Sequence, residues 1–162
     1  MKVGTGVGGW LENVPQAARR ADELGYDFVS CGEMSHDSIL TMTLAAANSE
    51  RVELETSVTI AFPRSPMVLA MEAWDIQHLS KGRFVLGLGS QVKGHNERRF
   101  GMPWVPGPAT RMKEYIRMML AIWDTWQNGA QPKFVGKTYQ FTLMTPNFNP
   151  GPIPFPRPKV FL

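Results

Sequence analysis

Short apolar runs of strand length recur along this chain at intervals of roughly 25 to 30 residues, with a helix-period stretch between each pair, the pattern of βα units and a parallel sheet. "KVGTGV" reads as a short first strand, followed by Val14, Ala17, Ala18, Ala21 and Leu24 on one helical face, with Asn13 placed to cap it and Gly25 to end it. "YDFVSCG" is the second strand, and residues 39–48 form an Ala-rich helix. "RVELETSVTIAF", rich in β-branched residues, is the third strand. Ser65 and Pro66 then supply a cap and a first-turn proline for a helix whose apolar face carries Val68, Met71, Ile76 and Leu79 before Gly82 stops it. "RFVLGLG" is the fourth strand.

Beyond it the alternation loosens. Met112, Tyr115, Ile116, Met119, Leu120, Trp123 and Trp126 mark a long amphipathic helix whose Met and aromatic face reads as core. Residues 129–158 are proline-rich and contain "FVGKTYQF", an excursion with a small hairpin rather than another βα unit. "RPKVFL" begins a fifth strand. An eight-fold βα barrel takes about 250 residues, so this pattern is expected to be the N-terminal half of one: residues 1–162 as a single domain, completed by further chain or a second copy.

Composition narrows the classes. With 43% hydrophobic and 19% charged residues the chain has material for a core, and no apolar run is long enough to span a bilayer. The start "MKVGTGVGGW" lacks the order of a signal peptide, so a cytoplasmic protein is expected, with no membrane partner. The lone Cys31 excludes an internal disulfide and reads as a small core residue. A net charge of +3 is spread along the chain without a basic tract, which argues against nucleic acid and suits a phosphorylated small molecule.

Three segments carry candidate chemistry. In "GLGSQ", just after the fourth strand, Gly87 and Gly89 give a ligand close access to backbone, while Ser90 and the amides after it can hold an anion; a tight strand-to-loop turn is the alternative. "CGEMSHDSI", after the second strand, places Glu33, His36 and Asp37 where they can exchange protons near neutral pH. The alternatives there are a helix cap with polar loop residues and, less well matched in spacing, a metal site; none of the metal type is expected. "ETSVTIAFPRSP" reads on composition alone as a strand leaving into a helix cap.

Taken in this order, the three places resemble the luciferase-like monooxygenase superfamily, in particular its F420-dependent oxidoreductase branch. The most specific stretch is "SPMVLAMEAWDIQHLSKGRFVLGLGSQVKGHNERRFG", from Ser65 to Gly101. The resemblance implies a (β/α)8 TIM barrel with an excursion after its fourth strand, F420 or FMN as cofactor with F420 preferred, a small organic substrate and a homodimer. It places Ser57 and Val58 at a strand bulge that holds a non-prolyl cis peptide behind the cofactor ring. It assigns Gly87, Gly89, Ser90 and Gln91 to the loop that meets the cofactor's sugar-alcohol chain and phosphate, and His95, Arg98 and Arg99 to its anionic tail.

Two departures limit the transfer. Sugar-phosphate dehydrogenases of the superfamily carry an acid shortly after the glycine loop and a histidine directly after the acid of the second strand; this chain has Val92 and Met34 there. Glu33 and His36 are therefore the candidates for acid/base chemistry or substrate contact. The rival expectations are a cofactor-binding or interaction module without catalysis, and an unrelated parallel α/β enzyme acting on a phosphorylated substrate.

Overall fold

The computed structural model describes residues 1–162, in two compact units. The first comprises residues 1–59, 72–89 and 155–162; the second comprises residues 60–71 and 90–154.

The first unit is built on parallel strands that lie side by side in chain order. β1 (Gly4–Gly6) pairs with β2 (Phe28–Cys31), β2 with β3 (Glu53–Thr56), and β3, across a short β4 (Thr59–Ile60) in sequence, with β5 (Phe84–Gly89). The last strand, β8 (Lys159–Phe161), pairs with β5, Leu86 opposite Val160. Every pairing is parallel because a helix intervenes, as the alternation in the sequence requires. Residues Phe84 to Leu88 are all buried, the unbroken apolar run of a strand covered on both faces. "RVELETSVTIAF" is not one strand: β3 and β4 are separated by Ser57 and Val58, joined by a cis peptide bond.

The helices refine the sequence reading. α1 (Val14–Glu23) buries Val14, Ala18 and Ala21, and Gly25 ends it at φ +80°. Asn13 makes no side-chain cap bond, because a 3-10 turn over Leu11–Asn13 already gives it helical backbone angles. Leu24, one residue past the helix, is exposed rather than on its buried face. α2 (Ser38–Ala47) begins one residue earlier than read and is capped by Asp37, whose carboxylate accepts from the amides of Ile39 at 2.8 Å and Leu40 at 3.0 Å.

In α3 (Pro66–Leu79) the cap is as read, with Ser65 Oγ accepting from the Val68 amide at 3.1 Å. Its buried face is not. Leu69, Ala70, Ala73, Trp74 and Ile76 are inside, while Val68, Met71 and Leu79 are exposed. This helix is apolar most of the way round, so periodicity alone does not set its phase, and the small alanines mark the side that packs closely.

At the N-terminal ends of the strands Arg83 closes the first unit. Its guanidinium donates to the carbonyls of Val52 at 2.6 Å and Ser49 at 2.7 Å, and its Nε to that of Ser80 at 2.8 Å. That end is stapled, which leaves the opposite ends for a site.

In the second unit α5 (Pro108–Asn128) buries Met112, Tyr115, Met119, Trp123 and Trp126 of the expected face, with Met118 and Ile122 beside them, while Ile116 and Leu120 are half-buried at its margin. Trp123 Nε1 donates to the Ala70 carbonyl at 3.0 Å. The expected hairpin is present as β6 (Phe134–Val135) against β7 (Gln140–Phe141), antiparallel. Glu114 holds its turn, accepting from the amides of Thr138 at 2.8 Å and Lys137 at 3.0 Å; these bonds pull its carboxyl below the ordinary value. The segment after β5 contains a short helix, α4 (Lys93–Arg98). No helix is long and apolar enough to cross a membrane.

Candidate functional site

Because β1, β2, β3 and β5 are parallel, Gly6, Cys31, Thr56 and Gly89 all end at the same edge of the sheet. The C-terminal edge is where parallel α/β folds build sites, since the loops leaving it are free to vary. Here β3 departs from β5 at Thr56. Its buried hydroxyl donates to the Gly87 carbonyl at 2.8 Å and accepts from the Gly87 amide at 2.9 Å, satisfying both groups where the regular ladder stops. On the other side, the Ser57 amide donates to the Cys31 carbonyl at 2.7 Å and the Glu33 amide to the Val58 carbonyl at 3.2 Å. The Ser57–Val58 bulge is thus fastened to both neighbouring strands, with Ser57 exposed at the edge and Val58 half-buried.

Three glycines make this fastening possible. A Cβ at Gly87 would overlap the Thr56 carbonyl oxygen and the Phe161 ring. One at Gly89 would lie 2.6 Å from Val58 Cγ2, and one at Gly32 would lie 3.0 Å from the Ser57 carbonyl oxygen. The sequence suggested that Gly87 and Gly89 leave room for a ligand; the room is filled by β3, the bulge and β8. Their function in this unit is close backbone packing.

Glu33 and His36 follow β2. The Ser38 hydroxyl donates to Glu33 Oε2 at 3.4 Å and shares a 2.8 Å bond with Thr59 Oγ1, both hydroxyls being fully buried. A polar chain therefore runs from Glu33 through Ser38 to the residue after the bulge. His36 is half-buried and packs edge-on against Trp10, ring centroids 5.0 Å apart. It lines an open cavity of about 410 Å³ whose walls come from the ends of β1 and β2, among them Gly6, Gly8, Ser30, Cys31, Gly32 and Met34. That volume lies within the roughly 300 to 1,000 Å³ of small-molecule sites. Cys31 is buried as expected, and its thiol is pushed up to about 12, by burial first and then by the Asp37 and Glu33 charges. It is a wall, not a nucleophile. Asp37, a possible second acid in the sequence, is the cap of α2.

The remaining candidates lie in the second unit. Ser90 and Gln91 are half-buried, and Gln91 adopts φ +57°. Fully buried Asn96 fixes this turn, its Nδ2 donating to the carbonyls of Ser90 at 3.0 Å and Val92 at 3.2 Å. His95 and Arg98 are exposed on α4, and Arg99 stacks over the Phe100 ring at 4.8 Å.

The structure brings Glu33, Ser57, Val58 and Gly89 together at one strand edge, links Gly87 to them through Thr56, and sets His36 in the adjoining cavity. The sequence reading missed Thr56, Ser38, Thr59, Trp10 and Asn96. Thr56 sits next to Ser57 and was within reach; the others carry no signal in spacing.

Residues 2–162 match the family model of luciferase-like monooxygenases. Over 162 residues the chain is 42% identical to an uncharacterised protein of Mycobacterium tuberculosis, covering 100% of this chain and 47% of that protein. A second M. tuberculosis protein, named as a proposed coenzyme F420-dependent oxidoreductase, is 33% identical over 132 residues, which are 76% of this chain and 37% of that one. Among solved structures, the oxygenating constituent of 3,6-diketocamphane monooxygenase of Pseudomonas putida, a type II Baeyer-Villiger enzyme in complex with FMN, has a TM-score of 0.74. Identity there is 15%, with 96% of this chain and 51% of that one covered, a likeness of fold. The chain spans about half the length of the curated relatives it matches. Its sequential parallel sheet is that of the luciferase-like TIM barrel, and the chain belongs to the luciferase-like monooxygenase family.

Proposed function

We propose that this chain provides the cofactor-facing strand ends of an oxidoreductase acting on a small organic substrate, by hydride transfer with F420 or by monooxygenation with reduced FMN. The observation that carries the reading is the Ser57–Val58 bulge, held at the C-terminal edge by Thr56, Gly32, Gly87 and Gly89 beside an open cavity. F420 is the preferred cofactor, supported by the name of the relative at 33% identity, while the FMN complex of the diketocamphane enzyme supports the other. When bound, such a cofactor supplies a hydride from its central ring or, as reduced flavin, activates oxygen.

The chain's own residues bind, orient and exchange protons. Ser57 and Val58 form the backing for a flat ring, their backbone groups already bonded to β2 and so held in one position. The Ser90 hydroxyl and the amides around Gln91 donate to a phosphate, and His95 and Arg98 balance the charge of an anionic tail. Glu33, oriented by Ser38, and His36, oriented by Trp10, are the groups able to move a proton at the ring or substrate.

The test is a titration of the purified protein with F420 and, separately, FMN, followed by visible absorbance and equilibrium dialysis. Saturable binding of one cofactor, weakened about tenfold by Ser90→Ala through loss of a charge-assisted hydrogen bond, is expected. Binding of neither removes the reading.

A further inference from the structure

The cavity at the ends of β1 and β2 has an unusual lining for a site beside two acids. No Lys, Arg, Asp or Glu contributes to its wall, and His36 is its one titratable side chain besides the Cys31 thiol. The two nearby carboxylates are turned onto the protein, Glu33 toward the Ser38 hydroxyl at 3.4 Å and Asp37 onto the amides that start α2. A carboxylate or phosphate entering here would meet no permanent countercharge from this wall, and an ammonium group would find no carboxylate in it. The field is also adverse to anions: the Glu33 and Asp37 charges reinforce burial in holding Cys31 protonated, and an anion beside that thiol feels the same repulsion.

The shape agrees with the charge. Gly6, Gly8 and Gly9 present backbone without side chains along one wall, leaving width for a flat or cyclic body. Met34, in the lining, is 79% exposed, and Trp10, 67% exposed, packs against the His36 ring from outside the lining, so two large apolar side chains stand beside the opening.

We infer that this cavity receives an uncharged, apolar-bodied portion of the substrate, with Met34 in its wall, His36 as its hydrogen-bonding contact and Trp10 as the aromatic neighbour that holds His36. The assignment rests on the oxidoreductase reading, because it takes the cavity as the substrate side of that site.

Three probes with the same ring test it: cyclohexanol, cyclohexanecarboxylate and cyclohexylammonium. Each is titrated into the purified protein in the presence of F420 or FMN, with the His36 imidazole NMR signals reporting the probe and visible absorbance reporting the cofactor. Cyclohexanol is expected to shift His36 with a Kd about tenfold or more below those of both charged probes, the cost of unpaired charge in the cavity. Trp10→Ala should raise its Kd about fivefold through lost aromatic contact with His36. Ser35→Arg, at an exposed position on the cavity wall, should bring the carboxylate to at least the affinity of the alcohol. Equal or tighter binding of either charged probe to the unaltered protein overturns the inference, as does the absence of any His36 response. The expected probe order without any cofactor absorbance change overturns the oxidoreductase reading and supports the polarity of the cavity.

Discussion

The loops that leave β2 and β5 begin alike, with a glycine packed against the Ser57–Val58 bulge, and then treat their charged residues in opposite ways. After β2 the acids face inward: Glu33 meets Ser38, Asp37 caps α2, and the cavity beside them is left without ionic side chains. After β5 the buried polar group is neutral Asn96, while the basic His95 and Arg98 are exposed. The two loops thus differ in what their charged side chains are already bonded to, and the proposed assignments, an uncharged body at the first and an anionic tail at the second, follow that difference. Residue type near a strand end does not decide function by itself; what the side chain is already bonded to does.

Variants can break this contrast, beginning with the shared foundation. Gly87→Val forces side-chain atoms into the Thr56 carbonyl and the Phe161 ring, and overpacking of this kind should cost about 3 kcal/mol or more, a fall in Tm of roughly 6 to 12 °C by thermal denaturation. Thr56→Val keeps the shape but strands the Gly87 amide and carbonyl, and should cost about 2 kcal/mol in urea unfolding. Asp37→Ala removes a cap and should cost about 1 kcal/mol, with little change in cofactor affinity if its function is structural. Arg98→Ala, at an exposed position, should leave stability within about 0.5 kcal/mol while weakening cofactor binding severalfold, and more so at low salt. If Asp37→Ala lost cofactor and Arg98→Ala did not, the two loops would have been assigned the wrong way round.

How far the sequence reaches follows the range of the interactions. The alternation of β2, α2, β3, α3 and β5 was legible because each element is set by its own periodicity and its own cap or stop, such as Ser65 and Gly82. The phase of α3 was not, since Val68, Met71 and Leu79 are as apolar as the residues actually buried and only tertiary packing chooses between them. The same holds at the site. Residues next to one another, Gly87 with Gly89 or Glu33 with His36, could be picked out, and the family resemblance pointed to Ser57 and Val58, where the structure has its cis peptide bond. The reason for the glycines could not be read: it lies in contacts of Gly87 with Thr56 and Phe161, and of Gly89 with Val58, far away in the chain. Asn96 was invisible for the same reason in miniature, as its importance comes from the carbonyls it holds rather than from its type.

The most direct test is amide hydrogen exchange of the protein alone and with saturating F420 or FMN. The account expects added protection concentrated at Val58 and residues 90–92, with little change at the already bonded amides of Ser57, Gly87 and residues 137–138. Protection that avoids both strand ends, or falls only on the second unit's hairpin, would contradict the placement of the cofactor at the Ser57–Val58 edge.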